Sequence, residues 1–387
     1  MNEELSYLQL LLRNLRIIRE RVGISASQLE ERLILGPGWV TRFESGETTP
    51  SVDMILAILH QLGANLSDLL EGLPGHPAAA EVERFIFAEE IEDNLVVNFR
   101  YARHDASYKL LGATLGEFEQ VIKTLRDGLS RLGRAHHEEI GAAQSEAIKT
   151  DAVKRAFQKA IALWPDANPS DLWWFIIQRA YLDPYNHPAK FARLSFEQSW
   201  KRTGGWALEQ VLVEHYAPFL LTHGINLFIA DVATKQQIVR RLEVGDRLEA
   251  DKMDVILTAE PHQDFLGVVH VKASFAERRT DDQPMSTILA RAGYLSPFLT
   301  MDCKSTPSSR PVNKGELGGV GGKLSAKRKD IEKEGYFTGC FSYNRNTVPS
   351  SVDLPPERRV YVCDFSNPDD SFSQFIIQKW QERQRAR

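Results

Sequence analysis

The chain has few cysteines, no long apolar run and no excess of positive charge. Its three cysteines, Cys303, Cys340 and Cys363, are odd in number and far apart. This spacing argues against a disulfide framework or a structural zinc site. No apolar stretch approaches the ~20 residues that span a bilayer, and the N-terminal residues MNEELSYLQL lack the layout of a secretory signal. These absences favour a cytoplasmic protein without a membrane segment.

The composition is that of an ordinary globular protein. The 387 residues are 43% hydrophobic and 26% charged, which suits two or three domains. The net charge of −5 is mildly unfavourable for non-specific binding of nucleic acid. A nuclease nevertheless carries carboxylates for its metals, and the position of the basic residues matters more than their sum.

Five short helices are predicted in residues 1–72. Leucines and one isoleucine at three- and four-residue steps indicate a first helix that ends near Val22. Ser25 or Ser27 begins a second helix, and Ser51 caps a fourth that runs to Leu62. A turn at 36–38 precedes the third helix, and 65–70 forms the fifth.

The third helix carries a specific pattern, Trp39-Val-Thr-Arg-Phe-Glu-Ser-Gly46, followed by Pro50. With it, the segment resembles the Cro/C1-type (XRE) helix-turn-helix family. In that family this helix lies in the major groove, which implies DNA contacts by Trp39, Thr41 and Arg42. The sequence departs from the family at Ala26, at Glu30 and at Pro37-Gly38. A helical packing module that has lost DNA binding is the alternative.

The remaining chain divides into two further parts. A Gly/Pro/Ala stretch at 73–80 is typical of a linker, and residues 81–150 are predicted to be a mostly helical connector or dimerisation element. Residues 151–387 mix helices with strands, which predicts an α/β domain. The strands are expected at 226–231, 253–258, 265–273, 298–303 and 359–364.

Two of these strands form a hairpin that brings a carboxylate to a lysine. A turn centred near residue 263 places Asp254 opposite Lys272, and His270 shares the face of Lys272. Such a pair suits metal-assisted phosphodiester hydrolysis, because carboxylate oxygens bind hard dications and a lysine neutralises developing charge. An ordinary cross-strand ion pair is the alternative.

Further acids surround this hairpin in the sequence. Glu209 follows Gly204-Gly205 on a predicted helix, where it either supports the site or is merely an acid near a helix N-terminus. His270 stands where the PD-(D/E)XK motif has an acid, and Asp281 and Asp282 follow the lysine as substitutes. Asp302-Cys303-Lys304 imitates the motif without a paired upstream acid, so a core strand ending in a loop is expected there.

Three stretches, 199–209, 252–254 and 271–282, resemble the restriction endonucleases that recognise sites with a CCGG core, most closely the BsaWI/AgeI-like branch. The resemblance implies a PD-(D/E)XK core that binds Mg²⁺ through Asp254 and Asp282, with Asp281 as the alternative to Asp282, and uses Lys272 and Glu209.

The same resemblance implies how the enzyme would recognise double-stranded DNA. Arg202, Glu277 and Arg278 correspond to the residues that bind the CCGG core. A type II restriction endonuclease acting on a palindrome implies a homodimer, and the family implies a partner methyltransferase. The helix-turn-helix would add DNA contacts or regulate the enzyme's own operon. The rival hypothesis is a transcriptional regulator with a non-catalytic C-terminal domain.

Overall fold

The computed structural model describes ten stretches of the chain. They are residues 7–70, 84–101, 104–135, 141–182, 193–242, 250–260, 264–274, 279–303, 313–318 and 324–386. The chain forms two compact units, Met1–Glu83 and Arg84–Arg387. The division into three domains at residues 72 and 150 stays a prediction.

The first unit contains the five predicted helices. Ser25 caps α2 with a reciprocal capping box, and the Ser51 side chain accepts from the Met54 N–H at the start of α4. The helices enclose an apolar core that includes Leu15, Val40 and Phe43. Their bounds are α1 Tyr7–Val22, α2 Ala26–Arg32, α3 Trp39–Glu44, α4 Val52–Leu62 and α5 Leu66–Leu70.

The departure at Glu30 has a structural role in this unit. Gly38, the N-cap residue of α3, has a φ of 77° and offers no side chain to cap the helix. The buried Glu30 carboxylate replaces that cap, since it accepts from the N–H groups of Gly38 (3.1 Å) and Val40 (2.8 Å). Two of the departures from the family pattern, Glu30 and Pro37-Gly38, are therefore linked, because Glu30 supplies the cap that Gly38 lacks.

The second unit begins with a sheet where the sequence predicted a mostly helical connector. Strands β1 Arg84–Ile91, β2 Asn94–Tyr101 and β3 His104–Leu111 pair antiparallel in that order. The first turn uses Glu92 and Asp93, both at positive φ (50° and 60°), rather than the glycine that marks such turns. Leu95 and Val97 alternate on the buried face and contribute to the main core. The prediction was wrong for residues 84–111 because the turn lacks its usual residues, whereas the rest of the segment contains the expected helices, Leu115–Ala135 and the start of Ala142–Leu163.

A six-stranded mixed sheet forms the centre of this unit, with strand order β4-β5-β6-β7-β8-β9. The first three strands pair antiparallel and the last four pair parallel. The predicted α/β class is confirmed, and β8 is a strand that the sequence did not predict. The strands are β4 Ile225–Phe228, β5 Val255–Ala259, β6 Asp264–Lys272, β7 Phe298–Thr300, β8 Cys340–Ser342 and β9 Val360–Val362.

Eight helices accompany the two sheets in the described part of the unit. They are α6 Leu115–Ala135, α7 Ala142–Leu163, α8 Pro169–Leu182, α9 Arg193–Thr222, α10 Val232–Leu242, α11 Arg279–Arg291, α12 Ala326–Lys329 and α13 Ser371–Ala386. Within the described ranges, no helix combines the length and apolar character that crossing a bilayer requires.

The two faces of the β5–β6 hairpin pack against different clusters. Val255, Val269 and Val271 join the main core, which also contains residues of α7, α8, α9 and α13. The opposite face contributes Ile256 and Val268 to a second cluster, which we call the floor cluster. Its buried members are Ala230, Met253, Ile256, Val268, Met285 and Leu289. The floor cluster therefore joins the hairpin to α10 and α11.

Candidate active site

Asp254 and Lys272 meet at the open end of the β5–β6 hairpin. The Lys272 ammonium donates to Asp254 Oδ2 at 2.6 Å, and the Val271 N–H donates to the same oxygen at 2.8 Å. The strand register differs from the prediction, since Val255 pairs with Val269 and the pattern places Asp254 beside His270. Lys272 reaches this carboxylate diagonally across the strands. The predicted contact therefore forms, with the register shifted by two residues.

Asp282 brings a second carboxylate to the same lysine. It lies in the first turns of α11, is 4% exposed, and its Oδ2 is 3.5 Å from Lys272 Nζ. The helix thus supplies an acid on the side of the hairpin that carries the floor cluster. Of Asp281 only the backbone is described, and Glu277 and Arg278 lie outside the described residues.

Glu209 is a third acid close to this pair. It lies in the middle of the 30-residue helix α9, so the alternative of an acid at a helix N-terminus is wrong. Burial raises the pKa of Glu209 to about 8, and the negative charge of Asp254 acts in the same direction. The positive charges of Lys272 and Lys235 oppose this rise.

Lys272 stays positively charged in this environment. Burial disfavours its ammonium form, but Asp254, Asp282 and Glu209 together outweigh burial and raise the pKa of Lys272 above its ordinary value. The lysine is therefore a cation held among acids, and it is poorly suited to accept a proton.

His270 occupies the strand position where the PD-(D/E)XK motif has an acid. Its ring is fully buried, packs edge-on against Phe337, and its Nε2 lies 2.9 Å from Ser296 Oγ. Burial lowers the pKa of His270 to about 4, so the imidazole is neutral at ordinary pH. His270 therefore fills space beneath the site, and α11 brings the acid Asp282 to Lys272.

The residues expected to contact DNA belong to both units. Arg202 is exposed on α9, two turns before Glu209 and on the same side of the helix, with its guanidinium 5.9 Å from the centre of the Trp206 ring. In the first unit, Thr41 and Arg42 are exposed on α3, while Trp39 is half-buried against Phe43.

The arrangement fits a hard divalent cation such as Mg²⁺. Asp254 and Asp282 offer carboxylate oxygens next to Lys272, and Glu209 is near enough for the charge of Asp254 to raise its pKa. The described residues contain no ready-made group of three or more metal-ligating side chains. Mg²⁺ needs none, because it is usually held by one or two carboxylates together with waters and substrate phosphates.

The sequence did not single out Lys235, which lies one turn into α10. Its position shortly after β4 was the available signal, since a strand end beside Asp254 brings the following helix to the site. Asp302, in contrast, behaves as expected, since it follows β7 and accepts from the Glu316 N–H at 2.6 Å in a loop.

Comparison with known proteins agrees with both parts of the structure. Residues 10–73 match the family described as Helix-turn-helix domain. The chain is 40% identical over 243 residues to the type II restriction enzyme AgeI of Thalassovita gelatinovora, an alignment that covers 59% of this chain and 83% of AgeI.

Two solved structures are also similar. A crystal structure of a specific AgeI–DNA complex matches with a TM-score of 0.59 and 33% identity, over 73% of this chain and 99% of that chain. A pre-specific BsaWI–DNA complex matches with a TM-score of 0.31 and 16% identity, over 70% and 95% of the two chains. The AgeI matches confirm the predicted family and enzyme class. The chain belongs to the AgeI-related type II restriction endonucleases and carries a helix-turn-helix domain at its N-terminus.

Proposed function

We propose that this endonuclease cleaves double-stranded DNA at a palindromic site with a CCGG core by Mg²⁺-dependent hydrolysis. The observation that carries the proposal is the cluster of Asp254, Lys272 and Asp282, with Glu209 beside it. The relative AgeI, whose structure was solved in a complex with DNA, supports the choice of substrate.

Asp254 and Asp282 are the residues that would hold Mg²⁺. When bound, the cation supplies a Lewis acid for the phosphoryl oxygen and lowers the pKa of a coordinated water. Asp282 is preferred to Asp281 because the Asp282 carboxylate faces Lys272 at 3.5 Å. Asp254 is fixed by the Val271 N–H, so its oxygens keep their position relative to the strand.

Lys272 provides electrostatic stabilisation. Its raised pKa keeps the ammonium protonated, so it can orient the attacking water and neutralise the charge that develops on the phosphate. Glu209 supports the site as the third acid. With a pKa of about 8, it holds a proton near neutral pH and can release it when positive charge enters the site.

Base recognition is assigned to Arg202 together with Glu277 and Arg278. An arginine fork binds guanine O6 and N7, and a glutamate accepts from cytosine N4, which suits a core of G·C pairs. Arg202 is exposed and shares a face of α9 with Glu209, so a strand bound at the acids passes within reach of it. A palindromic target implies a two-fold homodimer on DNA, and a methyltransferase of the same specificity would protect the host site.

The helix-turn-helix domain is proposed to add DNA contacts near the target through Trp39, Thr41 and Arg42. Thr41 and Arg42 are exposed on α3 in support of this role. In the full-length enzyme, Arg42→Ala should weaken binding to duplexes that extend well beyond the target. If cleavage and target binding are unchanged but binding upstream of the gene is lost, the domain instead regulates the operon.

Digestion of DNA of known sequence tests the function. Wild-type enzyme with Mg²⁺ is expected to give discrete fragments whose ends map to CCGG cores, and excess chelator should prevent them. Asp254→Ala should give none, whereas Asp353→Ala, which changes an aspartate of a C-terminal loop, should cut normally. Absence of discrete fragments from wild-type enzyme would refute the proposal and favour a transcriptional regulator.

A further inference from the structure

Helix α10 presents one of its faces to the floor cluster. Ile238, Val239 and Leu242 pack against that cluster, and they lie three, four and seven residues after Lys235. Residues at these spacings share a face of a helix. Lys235 is therefore on the inner face of α10, one turn closer to the N-terminus than the apolar contacts.

Helix α11 repeats this arrangement with the opposite charge. Met285 and Leu289 belong to the floor cluster, and Asp282 precedes them on the same face by three and seven residues. Asp282 contacts Lys272 above the floor. Since α10 and α11 pack on one cluster, the first turns of both helices carry a charged residue at the inner face.

The strand register places the start of α10 at the Asp254 end of the hairpin. The last residue of β4, Phe228, pairs with Ile256, two residues after Asp254. Ala230, in the short connection to α10, is buried in the floor cluster beside Met253. The chain thus leaves the sheet next to Asp254 and turns directly into the helix that carries Lys235.

The charge of Lys235 reaches the acids of the site. It is among the groups that lower the pKa of Glu209, after the effects of burial, Asp254 and Lys272. Lys235 is half-buried, and among the residues that the structure describes its side chain has no ion-pair partner. An ammonium so placed is a ready binding group for an anion, and lysine binds phosphate as a compact point charge.

We propose that Lys235 binds a non-bridging phosphate oxygen of the DNA strand being cut and so positions that strand at Asp254, Lys272 and Asp282. This inference rests on the proposed function, and it adds a positioning residue for the DNA backbone that sequence motifs do not reveal. A phosphate contact carries no base information, so Lys235 contributes equally to every DNA sequence.

The experiment compares Lys235→Ala, Lys235→Gln and Lys235→Arg with Lys123→Ala. Lys123 is a control lysine on α6 that pairs with Asp127 and whose side chain is 75% exposed. Cleavage of a short duplex with one CCGG core gives kcat and KM, and binding is measured in an Asp254→Ala background between 50 and 200 mM salt, the range over which phosphate contacts weaken by orders of magnitude.

Lys235→Ala and Lys235→Gln should lower kcat/KM by about 10- to 100-fold, mainly through KM, because one charge-assisted bond to phosphate is lost. The slope of log affinity against log salt should fall by about 0.9, since one phosphate is no longer neutralised. Lys235→Arg should restore affinity to within about threefold. Lys123→Ala should match wild type in all three measurements.

Three outcomes would overturn the proposal. The first is an unchanged salt slope of binding in Lys235→Ala. The second is a loss of activity in Lys235→Ala that is confined to kcat. The third is an effect of Lys235→Ala on binding that disappears in a Glu209→Gln background, since the lysine would then act only through Glu209. Failure of the proposed function looks different, because wild-type enzyme would not cut, while the salt slope of binding would still decide the role of Lys235.

Discussion

Replacing Glu30 by alanine removes both side-chain acceptors from the first turn of α3. The carboxylate accepts from the Gly38 and Val40 N–H groups at 3.1 and 2.8 Å, and Glu30 is only 6% exposed. A hydrogen bond to a charged group contributes about 1.5–3 kcal/mol and a lost N-cap costs about 0.5–2 kcal/mol. Because water partly replaces the lost acceptor at the helix end, we expect a loss of about 2–3 kcal/mol in the stability of the first unit.

For a unit of this size, that loss corresponds to a fall in Tm of roughly 10 °C or more. Circular dichroism and hydrogen exchange of residues 39–44 should report it, with the unit Arg84–Arg387 unchanged. Glu30→Gln keeps one acceptor oxygen and should lose about half as much. Glu31→Ala, an exposed neighbour on the same helix, is the matched control. If Glu30→Ala and Glu31→Ala melt at the same temperature, the capping argument is refuted.

Two further changes test the second unit. In Gly267→Ala, the new Cβ would lie 2.0 Å from the carbonyl oxygen of Leu295, so the variant should lose about 3 kcal/mol or more, measured by denaturant unfolding; wild-type stability would contradict the packing. Burial lowers the pKa of His215 to about 4, against 6.5 unfolded, so this residue binds more protons in the unfolded state between these values, and its own contribution to stability should rise with pH from 4 to 6.5, by at most about 3 kcal/mol. In His215→Phe the new ring can pack against Phe365 as the imidazole does, so the stability of wild type relative to this variant should rise from pH 4 to 6.5, and a difference that stays constant with pH would exclude a contribution from His215.

Local signals predicted the helices of the first unit well, because a capping residue marks the start of a helix in the sequence itself. The hydroxyls of Ser25 and Ser51 cap α2 and α4 as the sequence indicates. The role of Glu30 was not predictable from such signals, since it links α2 to the first turn of α3 across eight to ten residues. Propensity and capping rules describe a single helix, whereas this contact depends on how two helices pack.

The site was partly predictable for a related reason. A hairpin keeps Asp254 and Lys272 on one face only when its register shifts by an even number of residues. The pairing of Ala259 with Asp264 centres the ladder earlier in the chain than residue 263, and the bulge between Leu257 and Thr258 moves the register one residue back, which leaves it two residues from the expected one. Asp282 and Glu209 were indicated by their positions around the hairpin and by the family resemblance, and their contacts depend on how α11 and α9 pack against the sheet. Neither a sequence motif nor a predicted hairpin indicated that Lys235 lies near the site. The alternation of Leu95 and Val97 in β2 was present in the sequence, but the turn at Glu92-Asp93 gave no sign of a hairpin.

The active site has all its acids in place only when α11 packs on the floor cluster. Asp254 and Lys272 are fixed by the central strands, but Asp282 reaches Lys272 only while Met285 and Leu289 keep α11 on the sheet. An amphipathic helix held by a few apolar contacts opens more readily than strands bonded on both sides. On gradual heating, the enzyme should therefore lose cleavage before it loses the sheet. Catalysis would then report on the attachment of one helix rather than on unfolding of the whole chain.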